Sequence, residues 1–414
     1  KSDINISAQC ERAFVTSCAY GHLEVAKWLL EIKPDINISA CDEYAFCYAC
    51  QNGNLEVVKW LLEINPDINN SFVFGHVFIL VCKNGHLEIA KWLLEAKPDI
   101  NISADNEEAF IESCRYGHLE VVKWLLDIEP DIDISASNEY AFIHSCERGH
   151  LELVKWLLEI KPDINISAVN EKAFILSCIN GHLELAKWLL ETKPDINIST
   201  EDEYAFRYSC QKGHLEVVKW LLEIKPDICI SSKKEHAFRS ACEYGHLGIV
   251  KLLLESKPDI NISIYNESAF VESCTNGYLE IAKLLFKTNP DIDISDQDEH
   301  IFLVSCIYGY IEVAKWLLEI KPDVNISFGN ECAFASSCQH GHLDTAKWLL
   351  KIKPDIDISI DDEKVFRIVC KKGRLDIAKW LLEIKPDIDI SALYDDAFQN
   401  ACCNEHLAVV QWLC

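Results

Sequence analysis

Residues 105–136 read DNEEAFIESCRYGHLEVVKWLLDIEPDIDISA, and this stretch decides the fold. Asn106 followed by Glu107 and Glu108 predicts an N-cap and an acidic first turn at the start of a helix. Ala109, Phe110, Ser113 and Cys114 then fall at i, i+1, i+4 and i+5, which makes one narrow buried stripe. Gly117 stands where that helix needs a left-handed cap. From about Leu119 to Ile128 a second helix is expected, with Leu119, Val122, Leu125 and Leu126 as its apolar face. Glu120, Lys123 and Asp127 lie on its solvent side, where ion pairs contribute a few tenths of a kcal/mol. Pro130 ends it, because proline lacks an N–H and restricts the residue before it. Ile132, Asp133, Ile134 and Ser135 alternate apolar and polar, which predicts a short extended or hairpin connector.

Working outward, the same pattern returns every 32 residues. Glycine recurs from Gly21 to Gly373, every proline lies in one column from Pro34 to Pro386, and cysteine fills another from Cys18 to Cys402. The 11 tryptophans form a fourth column, with Leu252 and Leu284 as the two substitutes. A length of 414 residues would ordinarily suggest two or three domains. A chain that repeats needs no single large core, because it grows by stacking units. The expectation is therefore one all-α, helix-turn-helix solenoid over residues 1–414, with short hairpin connectors and thirteen units of 32 residues. Residues 1–7 read as the tail of a preceding unit, 8–391 as twelve full units and 392–414 as a truncated last one. The chain starts at Lys1 and contains no methionine, so it is expected to be a piece of something longer.

Gly117-His118-Leu119-Glu120-Val121-Val122-Lys123, the Leu125-Leu126 pair and Asp131-Ile132-Asp133 together resemble the second half of an ankyrin repeat. The resemblance extends over the whole chain. The Trp-Leu-Leu variant followed by Lys-Pro-Asp-Ile resembles the ankyrin arrays of giant DNA viruses of amoebae. There are departures: the family's Thr-Pro-Leu-His opening is replaced by stretches such as Glu108-Ala109-Phe110-Ile111, lysine replaces the usual glycine after the second helix, and the unit is one residue short. The missing residue is assigned to the hairpin. The resemblance implies a curved superhelix whose hairpin tips and first helices line a concave protein-binding surface.

Composition narrows the function. With 49% hydrophobic and 25% charged residues the chain reads as an ordinary folded protein without a biased tract. No apolar run approaches the roughly 18 residues of a membrane span, and the first residues carry no signal peptide. A net charge of −27 argues against a nucleic-acid or anionic-membrane partner, both of which need basic footprints. Disulfides within the cysteine column are not expected, since stacked helices stand ~10 Å apart and the Cα limit is roughly 7 Å. Twenty unpaired thiols favour a reducing, cytoplasmic setting. Cys114 with His118 looks like half a zinc site, but zinc wants four converging ligands. These residues are expected to be a core thiol and a turn-capping imidazole, with no metal and no cofactor. The Asn-Ile-Ser triplets share their column with Asp133, Asp293, Asp357 and Asp389, so the side chain is expected to bond the hairpin backbone rather than carry a glycan. The tryptophans are expected to form a stacked, half-buried ladder. No catalytic triad, phosphate loop or acid–base pair is present, and no enzymatic activity is expected.

Function is expected on the positions that differ between units. In the first helix these fall at i, i+3, i+4 and i+7, as in Tyr204, Arg207, Tyr208 and Gln211, opposite the buried stripe and so facing outward. They are rich in the residue types that anchor interfaces. Candidate protein-binding residues are Tyr44, Tyr48, Tyr140, His144, Tyr204, Arg207, Tyr208, Lys212, His236 and Arg239, with a second basic group at Lys364, Arg367 and Lys371. Because the scaffold carries nearly all the negative charge, the expected partner is another protein, such as a host protein with an acidic patch, bound by a monomeric array. The alternatives are a spacer array, or an array attached to a catalytic domain outside this segment. The third unit departs from the pattern: Asn70-Ser71-Phe72-Val73-Phe74-Gly75-His76 is either a local repacking or an apolar tip offered to a partner.

Overall fold

The computed structural model describes residues 8–66, 68, 71–292 and 297–414. Its 26 helices alternate between a first and a second helix of each repeat, and there is no strand among the described residues. They form two compact halves, one ending at Ser209 and including Trp220–Pro226, the other made of Cys210–Lys219 and Asp227–Cys414.

Hydrophobic spacing places the second helices where the sequence puts them. Leu119–Ile128 is helical over ten residues and buries Val121, Val122 and Leu125. Opposite it, Ala109, Phe110, Ser113 and Cys114 are buried in the first helix, Ala104–Arg115. The Ser113 hydroxyl, which has no water to bond in that position, donates to Ala109 O at 2.7 Å. In the next repeat Ser145 reaches both Ala141 O and, at 3.1 Å, Cys114 O.

Each repeat is tied to its neighbour by two further contacts. The His118 Nε2–H donates to Lys83 O at 2.8 Å, so the imidazole does cap a turn, but the turn of the preceding repeat. Its ring lies against Gly85, where an added Cβ would meet His118 Nδ1 at 2.5 Å, and Gly85 itself has φ +77°. Both facts restrict that position to glycine. Apart from the exposed Trp28, the tryptophans are half-buried, and none stacks on another among the described residues. Several tilt onto a core phenylalanine of the preceding repeat, as in Trp60 on Phe14 at 6.2 Å and Trp124 on Phe78 at 6.3 Å. An edge or tilted geometry suits the ring quadrupoles better than a face-to-face ladder.

Two expectations are corrected. The connector is not an extended hairpin: residues 129–135 pass through successive turns. The Asx residue organises them as expected, since Ser103 N–H donates to Asn101 Oδ1 at 3.2 Å and Ser135 N–H to Asp133 Oδ1 at 3.0 Å. Nor is Asn106 an N-cap. Asp105, Asn106 and Glu107 are all left-handed, with φ of 53°, 58° and 66°. Three such residues cost about 1–2 kcal/mol each, so something must hold them. Glu107 is buried, and its Oε1 accepts the N–H of Asp133 in the following connector at 3.4 Å. Glu139 takes Asn165 N–H at 3.1 Å and Glu171 takes Asn197 N–H at 3.4 Å. The carboxylate expected to favour its own helix's N-terminus instead anchors the next connector, and the left-handed turn delivers it there.

Candidate functional site

The positions expected to face outward divide into two groups. At the i and i+4 positions Tyr44, Tyr48 and Tyr140 are 46%, 40% and 48% exposed, His144, Tyr204 and Tyr208 are half-buried, and Glu112 and Ser240 are buried. The aromatic ones occur as touching pairs on single first helices. Tyr44 meets Tyr48 edge-on at 5.4 Å, Tyr140 meets His144 at 4.8 Å, and Tyr204 stacks on Tyr208 at 4.2 Å. Burial and the neighbouring Tyr208 raise the Tyr204 phenol above its ordinary value. His144 also meets Glu147 at 2.6 Å.

The i+3 position is buried in four repeats and half-buried in most of the others. Arg207 is only 5% exposed, and Ile111, Ile143 and Ile175 in the same column are buried too, the isoleucines where adjacent first helices pack together. The arginines there have a structural task that the sequence reading missed. Arg207 Nε–H donates to Asp202 O at 2.7 Å and a terminal N–H to Glu201 O at 3.1 Å. Arg367 does the same to Asp362 O and Asp361 O, and Arg239 donates to Lys234 O at 3.0 Å. A guanidinium at this column therefore satisfies the carbonyls that the left-handed turn exposes.

The expected basic surface is correspondingly engaged. Lys364 pairs with Asp361 at 3.1 Å and Arg367 with Asp396 at 2.9 Å. Arg239 lies 4.8 Å over the Tyr265 ring. Lys212 and Lys371 are exposed, and His236 is half-buried. The buried cysteines of the column are inert packing: burial raises the Cys114 thiol well above its ordinary value and pushes Cys18 up to about 12. Among the described residues no group of three or more His, Cys, Asp or Glu could hold a metal ion. No helix among them is long and apolar enough to cross a membrane.

The third repeat holds the feature that sequence reasoning left undecided. Phe74 is 1% exposed, so it is core and not an offered tip; Asn70 and the side chains of Ser71 and Phe72 lie outside the described residues. Gly75 stands in the column of the anchoring glutamates, where eleven repeats have Glu and the last has Asp395. No left-handed residue occurs at Val73, Phe74 or Gly75, and the helix runs straight through Ser71–Lys83. Beside Gly75 lies a cavity of about 380 Å³ whose lining includes Phe74, His76, Ile79, Lys97 and Asn101. One glycine in a column of glutamates was the sequence signal for it.

Family models for ankyrin repeats match overlapping segments from residue 46 to 362, in sets of three copies, and a further ankyrin-repeat model matches residues 12–62. No curated protein matches the chain. Among solved structures, the crystal structure of the human ASB11 ankyrin repeat domain is similar at 17% identity, over 54% of this chain and 95% of that one, with a TM-score of 0.37.

Proposed function

The chain belongs to the ankyrin-repeat family, whose repeats generally mediate protein–protein interaction and are typically non-catalytic; from that premise we propose that it is an interaction array, an adaptor that holds a partner protein against its first helices and connector tips. In the viral setting that the Trp-Leu-Leu variant suggests, the partner is a host protein and the compartment the reducing cytoplasm. The observation that carries the reading is the set of aromatic pairs on first helices: the exposed Tyr44 with Tyr48, the exposed Tyr140 with His144, and the half-buried Tyr204 with Tyr208. Tyrosine brings large contact area at low conformational cost, and such residues dominate interface energetics. The arginines are assigned to the scaffold, so the aromatic pairs take first place over the basic residues.

Affinity capture from host lysate tests this. The parent protein is compared with a variant carrying Tyr44, Tyr48, Tyr140, Tyr204 and Tyr208 all changed to Ala, and circular dichroism confirms that the variant is folded. A partner held by the parent and lost by the variant is the expected result. Identical capture by both would remove the aromatic face from consideration and favour a spacer.

A further inference from the structure

The cavity beside Gly75 adjoins the position at which the fourth and fifth repeats carry a buried glutamate. In the neighbouring repeats the glutamate of this column accepts a connector N–H: Asp133 N–H on Glu107, and Asn165 N–H on Glu139. The equivalent donor in the third repeat is Asn101 N–H, and it has no acceptor among the described residues. The lysine column adds the charge. Lys353 pairs with Glu331 at 2.8 Å and Lys33 with Glu11 at 3.9 Å, and Lys97 of the same column lines the cavity with its ammonium 5.5 Å from the Phe74 ring.

The apolar wall differs as well. The isoleucine that opens each connector is buried in the neighbouring repeats, Ile68 at 2%, Ile132 at 5% and Ile164 at 5%, whereas Ile100 is only half-buried. A Cβ built on Gly75 meets no atom within 4 Å. Asp99 and Asp105 also line the cavity, but both are exposed. The matching connector Asp131 and Asp163 do not exclude the buried Glu107 and Glu139, so a rim carboxylate is compatible with an inner one.

We propose that this cavity receives a glutamate side chain of the partner protein, which takes the place of the glutamate the third repeat lacks. Its carboxylate accepts Asn101 N–H beside Lys97, and its methylenes cover Ile100. The proposal deepens the interaction reading and rests on it, since the ligand is a side chain of the bound protein.

The test uses the full chain with ¹⁵N-asparagine, following the Asn101 amide. The probes are a blocked Ala-Glu-Ala peptide, its Ala-Gln-Ala analogue and sodium propionate. The expected result is a saturable downfield shift of the Asn101 amide with the glutamate peptide. The glutamine analogue should bind roughly tenfold more weakly, the loss of one charge-assisted contact. Gly75→Glu, which supplies the missing side chain in cis, should abolish the response. Should that variant misfold, Lys97→Gln serves in its place and should weaken the response by a similar factor. Absence of a shift, an unchanged shift in the folded Gly75→Glu variant, or a response to propionate but not to the peptide would each overturn the proposal. The aromatic-face variant should keep the Asn101 response, so failure of this site and failure of the aromatic face are read separately.

Discussion

The third and fourth repeats share a core and differ in how that core is closed. Phe78 and Phe110, one repeat apart, are each 1% exposed, and Cys82 and Cys114 are both fully buried. Yet the fourth repeat enters its first helix through three left-handed residues, while the third enters through a straight helix at Ser71–Lys83. Backbone tolerance would predict the reverse, because Gly75 adopts positive φ at less cost than Glu107. In these two repeats the left-handed turn goes with the carboxylate and not with the permissive residue, although Glu299 of the tenth repeat keeps the carboxylate without a left-handed turn. Where the carboxylate is missing, the turn is missing and a cavity stands in its place.

The comparison can be broken at its common part first. Phe78→Ala and Phe110→Ala should each cost about 3–5 kcal/mol, and equally, in denaturant unfolding followed by circular dichroism. A clear inequality would mean that the two repeats do not share a core. Next comes the difference itself. Glu107→Gly should cost about 1–3 kcal/mol by leaving Asp133 N–H without its partner, whereas Gly75→Glu should cost nothing or stabilise. Equal penalties in both directions would remove the carboxylate anchor from the account.

A third effect depends on pH. Burial lowers the imidazoles of His118, His150 and His342 below their ordinary value. The folded state then holds them neutral while the unfolded chain takes up protons from about pH 6.5. The stability they contribute is present above that pH and is lost as the pH falls through the lowered folded-state value. Melting temperature should decline between about pH 7 and 5, and His118→Asn with His150→Asn should flatten the slope. Asparagine is chosen because Asn54 already fills this role, donating to Ala19 O at 2.7 Å. Smallest of all, Lys123→Ala breaks an exposed pair with Glu120 at 3.2 Å and should change stability by about 0.5 kcal/mol or less.

Much of this was legible in the sequence because a period of 32 residues compares each position with its counterparts. The second helix was read to its ends, Leu119 and Ile128, since its apolar spacing has one solution. The connector was misread because Ile132-Asp133-Ile134-Ser135 alternates like a strand, while the Asx side chain bends it into turns. Arg207 was misread for a different reason. Helical spacing gives the angle of a side chain around its own helix, but not its hydrogen bonds, and Arg207 folds back onto the carbonyls of Glu201 and Asp202. Of the candidate binding residues, the tyrosine pairs keep an exposed face and the arginines turn inward to carbonyls.

The central claim is that the column carboxylate anchors the connectors at Asp133, Asn165 and Asn197, and that Gly75 leaves the connector at Asn101 without it. Hydrogen exchange at Asn101 and Asp133 tests this most directly. The Asp133 amide should be the more protected of the two in the parent protein, and Gly75→Glu should raise protection at Asn101 towards it. If Asn101 is already as protected as Asp133, or if Gly75→Glu leaves it unchanged, the account of both the anchor and its absence beside Gly75 is contradicted.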